Sequence, residues 1–102
     1  MKYFNIQSSP EGQYFNLTGD EGVRRIICNS TAAQTSRLEV NGNVIGSFNN
    51  SNDFELTFES YYGYPKLSDF SIFQFGFGSI LVDTVPYNPI SHDYFEEGVV
   101  SW

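Results

Sequence analysis

The sequence predicts an all-β domain, an antiparallel β-sandwich of jelly-roll-like form with about eight strands and an irregular C-terminal arm. Three observations carry this. Helical periodicity is almost absent, β-branched and aromatic residues recur in short runs, and Gly, Asn, Asp, Ser and Pro clusters separate those runs at near-even spacing. At 102 residues the chain has room for one core, and its 40 % hydrophobic and 18 % aromatic content is too apolar for a disordered segment. The expected division is a sandwich over residues 1–85 and an arm over 86–102 that packs on the domain or on a neighbouring subunit.

The first run, Lys2 to Gln7, alternates Phe4 and Ile6 against Tyr3, Asn5 and Gln7, and Ser8-Ser9-Pro10-Glu11-Gly12 ends it with turn chemistry. Tyr14 to Thr18 places Phe15 and Leu17 on one face before the Gly19–Gly22 turn. Val23 to Cys28 follows, with Ile26 and Cys28 on the same side. The small polar residues 29–36 suit a loop that crosses from one sheet or edge to another. Arg37–Val40 and Val44-Ile45 flank Asn41-Gly42, a pair that tolerates the positive φ a tight hairpin requires. After the Asn49–Asp53 loop, Phe54, Leu56 and Phe58 alternate with Glu55, Thr57 and Glu59, the pattern of a strand with one wet face.

Asp69 to Phe77 reads as one long strand whose parity slips. Phe70 and Ile72 share a face while Phe73, Phe75 and Phe77 share the other, so either both faces are covered or a bulge near Ile72 re-aims the chain. The glycines of Gly76-Phe77-Gly78 let this aromatic-rich segment bend. Ser79 to Val85 supplies a last strand, with Ile80 and Val82 opposite Leu81 and Val85. Pro86 and Pro89 then prevent regular pairing, and Asp93, Glu96 and Gly98 allow at most one capped helical turn.

The net charge of −7 resides in residues 52–102, where eight acids face Lys66 alone. Nucleic acid and anionic membrane are disfavoured as ligands, because phosphate binding needs clustered cations. There is no apolar run of about 18 residues to span a membrane and no apolar stretch near the N-terminus to act as an export signal, so synthesis in the cytoplasm is expected. Cys28 is the single cysteine, which excludes an internal disulfide and reads as a buried small hydrophobe.

Reactive chemistry is sparse. Gly76-Phe77-Gly78 lacks the third glycine and the following helix of a dinucleotide loop. His92 is the only histidine, so a two-histidine metal site is excluded within one chain, and no Gly-x-Ser-x-Gly elbow is present. Glu55 and Glu59 on one strand face stand roughly 13 to 14 Å apart, beyond the separation glycosidases use. The expectation is therefore no catalytic residue, no metal and no cofactor.

What remains is contact surface. Tyr61, Tyr62, Tyr64, Tyr87 and Tyr94 fall in turns, where tyrosine presents rigid amphipathic area, and Phe95, Val99, Val100 and Trp102 make the C-terminal arm sticky. These nine residues are the candidate interaction set. The leading expectation is a structural or interaction subunit with protein partners, including copies of itself, in a larger assembly such as a phage virion, as a decoration, cement or fibre-associated component. Its grounds are small size, a Met-initiated chain, no export signal and the arm. The first alternative is a carbohydrate-binding module that stacks a glycan on Tyr61, Tyr62 and Tyr64. The second is an acidic inhibitor imitating nucleic acid with Asp53, Glu55, Glu59, Asp69, Asp83, Asp93, Glu96 and Glu97.

Overall fold

Strand alternation fixes which side chains meet, and in the computed structural model, which describes residues 1–7, 11–59 and 63–87, it builds eight strands. They are β1 (Lys2–Gln7), β2 (Gln13–Asn16), β3 (Gly22–Ser30), β4 (Ser36–Val40), β5 (Asn43–Phe48), β6 (Phe54–Thr57), β7 (Phe70–Gln74) and β8 (Phe77–Val85). All pairings are antiparallel. Sheet 1 has the order β1-β8-β3-β6 and sheet 2 the order β2-β7-β4-β5, so the domain is an all-β sandwich of two four-stranded sheets. Successive strands lie in opposite sheets except within the β4–β5 hairpin.

The inner layer follows the parity read from the sequence. Ile26, Cys28, Ile80 and Val82 from sheet 1 and Leu38, Val40, Ile45 and Ile72 from sheet 2 are all fully buried. Burying side chains of this size contributes about 1.5 to 3 kcal/mol each relative to exposure. Phe58 and Phe70 add an edge-to-face contact with centroids 5.9 Å apart.

The sandwich has two open sides, and an aromatic ring closes each. Between β1 and β2, Phe4 meets Phe15 edge-on at 5.7 Å. Between β5 and β6, the Phe54 ring occupies the space that a Cβ on residue 46 would need, so only glycine fits there. The hairpin turn needs its glycine for a different reason. Asn41 and Gly42 both adopt positive φ, at 50° and 83°, which matches the twist of the flanking strands. A register shift in the same hairpin, with Leu38 opposite Gly46 and Glu39 opposite Val44, leaves Ile45 as an extra residue aimed into the core.

Two expectations need correction, and one open alternative is resolved. The long strand over Asp69–Phe77 is two strands, broken at Phe75-Gly76, where the chain leaves sheet 2 for sheet 1. A bulge near Ile72 is absent, since Phe70 to Phe73 pair without a shift on β4 and Ser71 to Gln74 likewise on β2. The other option holds: β7 is a central strand with both faces covered. Finally, the 29–36 loop begins later than expected, because β3 runs to Ser30 before the chain crosses between sheets.

That corner is held by buried hydroxyls. The Phe75 N–H donates to Ser36 Oγ at 3.0 Å, and Ser30 Oγ donates to the Phe75 carbonyl at 2.8 Å. Both serines are fully buried. They satisfy backbone groups that have left the ladder, as a buried peptide demands. The loops beside the corner are stitched together in the same way. Asn29 Nδ2 donates to Ser51 O and Asp53 Oδ1, while Asn50 N–H donates to Ala32 O.

Removing Ser36 Oγ strands the Phe75 N–H. Ser36→Ala is expected to lower stability by about 1 to 3 kcal/mol, read as a reduced urea midpoint at unchanged slope. An unchanged midpoint would mean that the hydroxyl contributes nothing to the corner.

Candidate functional site

Because inner residues are fixed by the core, their neighbours in sequence are fixed on the outside. On sheet 2 the register aligns Tyr14, Phe73, Arg37 and Ser47 in one row across all four strands. The next row is Asn16, Ser71, Glu39 and Val44. Tyr14 meets Phe73 edge-on at 4.9 Å, and Phe73 meets Phe75 at 5.2 Å. The Arg37 guanidinium lies 4.5 Å from the Phe73 centroid, a cation–π stack.

Glu39 ties the rows together. Although it points outward, it is only 6 % exposed, because Tyr14 and Arg37 cover it. Tyr14 Oη donates to Glu39 Oε2 at 3.1 Å, and Arg37 Nε stands 3.5 Å from the same oxygen. One hydrogen bond and one ion pair on this shielded carboxylate offset the cost of removing it from water.

Sheet 1 presents a different exterior. Its central outer row is Tyr3, Leu81, Ile27 and Glu55, three apolar residues in succession. Tyr3 is 60 % exposed, and Phe77, further along β8 on the same face, is 59 % exposed. The polar residues flank this row. Arg24 Nε and Nη2 both donate to Asp83 Oδ2, at 2.9 and 2.6 Å, which raises the guanidinium pKa above its ordinary value through the hydrogen bond and the charge of Asp83. Arg25 Nη1 lies 3.9 Å from Glu55.

A cleft of about 340 Å³ separates the edge strands β1 and β2, lined by Asn5, Ile6, Gln7, Gln13, Tyr14 and Phe15. Tyr14 therefore belongs both to this cleft and to the outer rows of sheet 2. Among the described residues, no three His, Cys, Asp or Glu side chains gather closely enough to hold a metal ion.

Of the residues singled out in the sequence, Tyr64 is half-buried and packs against the core. Tyr87 is exposed, with Lys66 Nζ 4.9 Å from its ring centroid. Tyr61, Tyr62, Tyr94, Phe95, Val99, Val100 and Trp102 lie outside the described residues. So do His92, Asp93, Glu96 and Glu97 of the charge-based readings, while Asp53, Glu55 and Asp83 each face a donor or a cation. Sequence reasoning missed the Tyr14, Arg37 and Glu39 group. The alternation around Leu38 puts Arg37 and Glu39 on one face, but no local pattern shows that Tyr14 lies near them.

Comparison of the chain with protein-family models, with curated proteins and with solved structures returns no match. The surfaces themselves are therefore what a functional reading rests on.

Cys28 belongs to the interior. Burial among the inner-layer side chains pushes its thiol from an ordinary value of 9.0 up to about 12. The folded protein is expected to resist an aromatic disulfide reagent at pH 8 and to react once unfolded. Linkage gives a second outcome. Below pH 9 the thiol is neutral in both states, whereas between about pH 9 and about 12 only the unfolded chain ionises, so stability falls across that window. The wild-type chain should lose stability there faster than Cys28→Ala in urea titrations at stepped pH. Identical pH slopes would show that the thiol is not protected.

Proposed function

We propose that the protein is a non-catalytic structural or interaction subunit of a larger assembly, such as a decoration, cement or fibre-associated component of a virion, and that it meets its partners through the outer face of sheet 1. The observation that carries this reading is the row Tyr3–Leu81–Ile27. A solvated face of an antiparallel sheet ordinarily alternates to polar residues, whereas here three apolar side chains stand side by side, joined by Phe77 on the same face. Such a row loses hydration cost when a second surface covers it.

The strand order supports reading the sandwich as a jelly roll. Its ladders join β1 to β8, β2 to β7, β3 to β6 and β4 to β5, as in one long antiparallel ribbon rolled into two layers. Viral capsid and lectin domains use this architecture. Architecture alone assigns no role, so the apolar row bears the weight. Copies of the same chain are the first partners to test, since symmetric self-association is the commonest assembly.

Light scattering on the purified full-length chain should give a closed oligomer. Leu81→Arg, which sets a charge in the middle of the row, should give a monomer with an unchanged circular-dichroism spectrum. A wild-type monomer at every concentration reached would overturn self-assembly through this face.

A further inference from the structure

We propose that the outer face of sheet 2 is a binding site for a neutral glycan, with Tyr14 as its stacking platform, Arg37, Asn16 and Ser71 as its hydrogen-bonding groups, and Glu39 as the residue that positions Tyr14 and Arg37. The site lies on the sheet opposite the proposed assembly face and stands whether or not the chain self-associates.

Tyr14 starts from the edge strand β2, yet its hydroxyl reaches Glu39 on β4, two strands away across roughly 9 to 10 Å. A side chain that spans this gap lies along the sheet instead of standing off it. The Phe73 ring supports it edge-on. Tyr14 nevertheless remains 52 % exposed. A phenol laid down and anchored at its tip offers apolar ring surface to solvent with little rotamer freedom left to lose, which is the preorganisation that stacking on the C–H face of a pyranose requires.

The neighbouring groups complete the chemistry. Arg37, stacked on Phe73 in the same row as Tyr14, approaches Glu39 through Nε, and its other N–H donors form a planar fork suited to adjacent hydroxyls. Asn16 and Ser71, in the next row, add an amide and a hydroxyl that both donate and accept. Glu39 is largely shielded, so it acts through the two side chains it holds.

Charge selects the ligand class. Arg37 and Glu39 cancel, and the remaining members of the two rows, Tyr14, Phe73, Ser47, Asn16, Ser71 and Val44, are uncharged. The face therefore offers no excess cation for phosphate and no excess anion for a basic peptide, and the chain's net charge of −7 opposes a polyanion. Four strands give a strip roughly 14 Å wide. At the β2 edge it continues into the cleft of about 340 Å³ that Tyr14 also lines. An open strip of this kind suits an extended polymer better than an enclosed small molecule.

The test is native affinity electrophoresis of the full-length chain in gels containing mixed-linkage β-glucan, xylan, galactomannan or soluble starch, followed by NMR titration with oligosaccharides of the polymer that retards it. At least one of these neutral polysaccharides should retard the protein and shift the amide signals of Tyr14 and Arg37. Tyr14→Ala should weaken binding by at least about tenfold, the loss expected of a central aromatic contact. Arg37→Lys should weaken it several-fold. Glu39→Gln, which keeps an acceptor for Tyr14 Oη, should retain binding that Glu39→Leu loses, a rescue that a purely structural role would not produce. Amide-signal dispersion checks the folding of each variant, and Asn16→Ala at an exposed position provides a second reading. Retardation by none of the four polymers overturns the proposal. So does binding that survives Tyr14→Ala and Arg37→Lys, or that is lost instead on Tyr64→Ala.

Discussion

The apolar layer between the two sheets holds everything on their outer faces. Leu38 turned inward leaves Arg37 and Glu39 outward, Ile72 inward leaves Ser71 and Phe73 outward, and Phe15 inward leaves Tyr14 and Asn16 outward. A slip of one residue in β4 would bury Arg37 and Glu39 and expose Leu38 and Val40. The register is thus defended by the full burial of Leu38 and Ile72, and the surface rows inherit that precision.

Polar groups within this framework sit where the ladder ends or where a surface needs fixing. Ser30 and Ser36 occupy the corner at which the chain changes sheets, and each takes up one backbone group of Phe75. Glu39 does comparable work outside, since one carboxylate oxygen receives a phenol and faces a guanidinium that originate on different strands. Both arrangements spend a shielded polar atom on holding a geometry that apolar contact alone would leave loose.

Strands β1 and β6 were legible because Phe4 and Ile6, and Leu56 and Phe58, alternate without interruption, and the β4–β5 hairpin was legible from Asn41-Gly42. The division between β7 and β8 was not. Phe73, Phe75 and Phe77 keep the same parity straight through the corner, although Phe73 lies outside sheet 2 and Phe77 outside sheet 1. Parity records the side of a strand and carries no sign of a change of sheet. The Tyr14–Glu39 contact was hidden for a related reason. Its partners are 25 residues apart and meet only because β2 and β4 flank β7, a neighbourhood set by long-range pairing. Ring density drew attention to the turn around Tyr64, and that ring packs on the core.

The rolled-ribbon ladder has a temporal consequence. The β4–β5 hairpin is the one ladder between strands that follow each other in the chain, so it can close while later segments are still being synthesised. β3 then waits for β6, β2 for β7, and β1 for β8. The first strand of the sandwich is thereby the last to be secured, and its backbone stays open to foreign strands until translation has passed Val85. A ribosome stalled before β8 would hold an adhesive fragment.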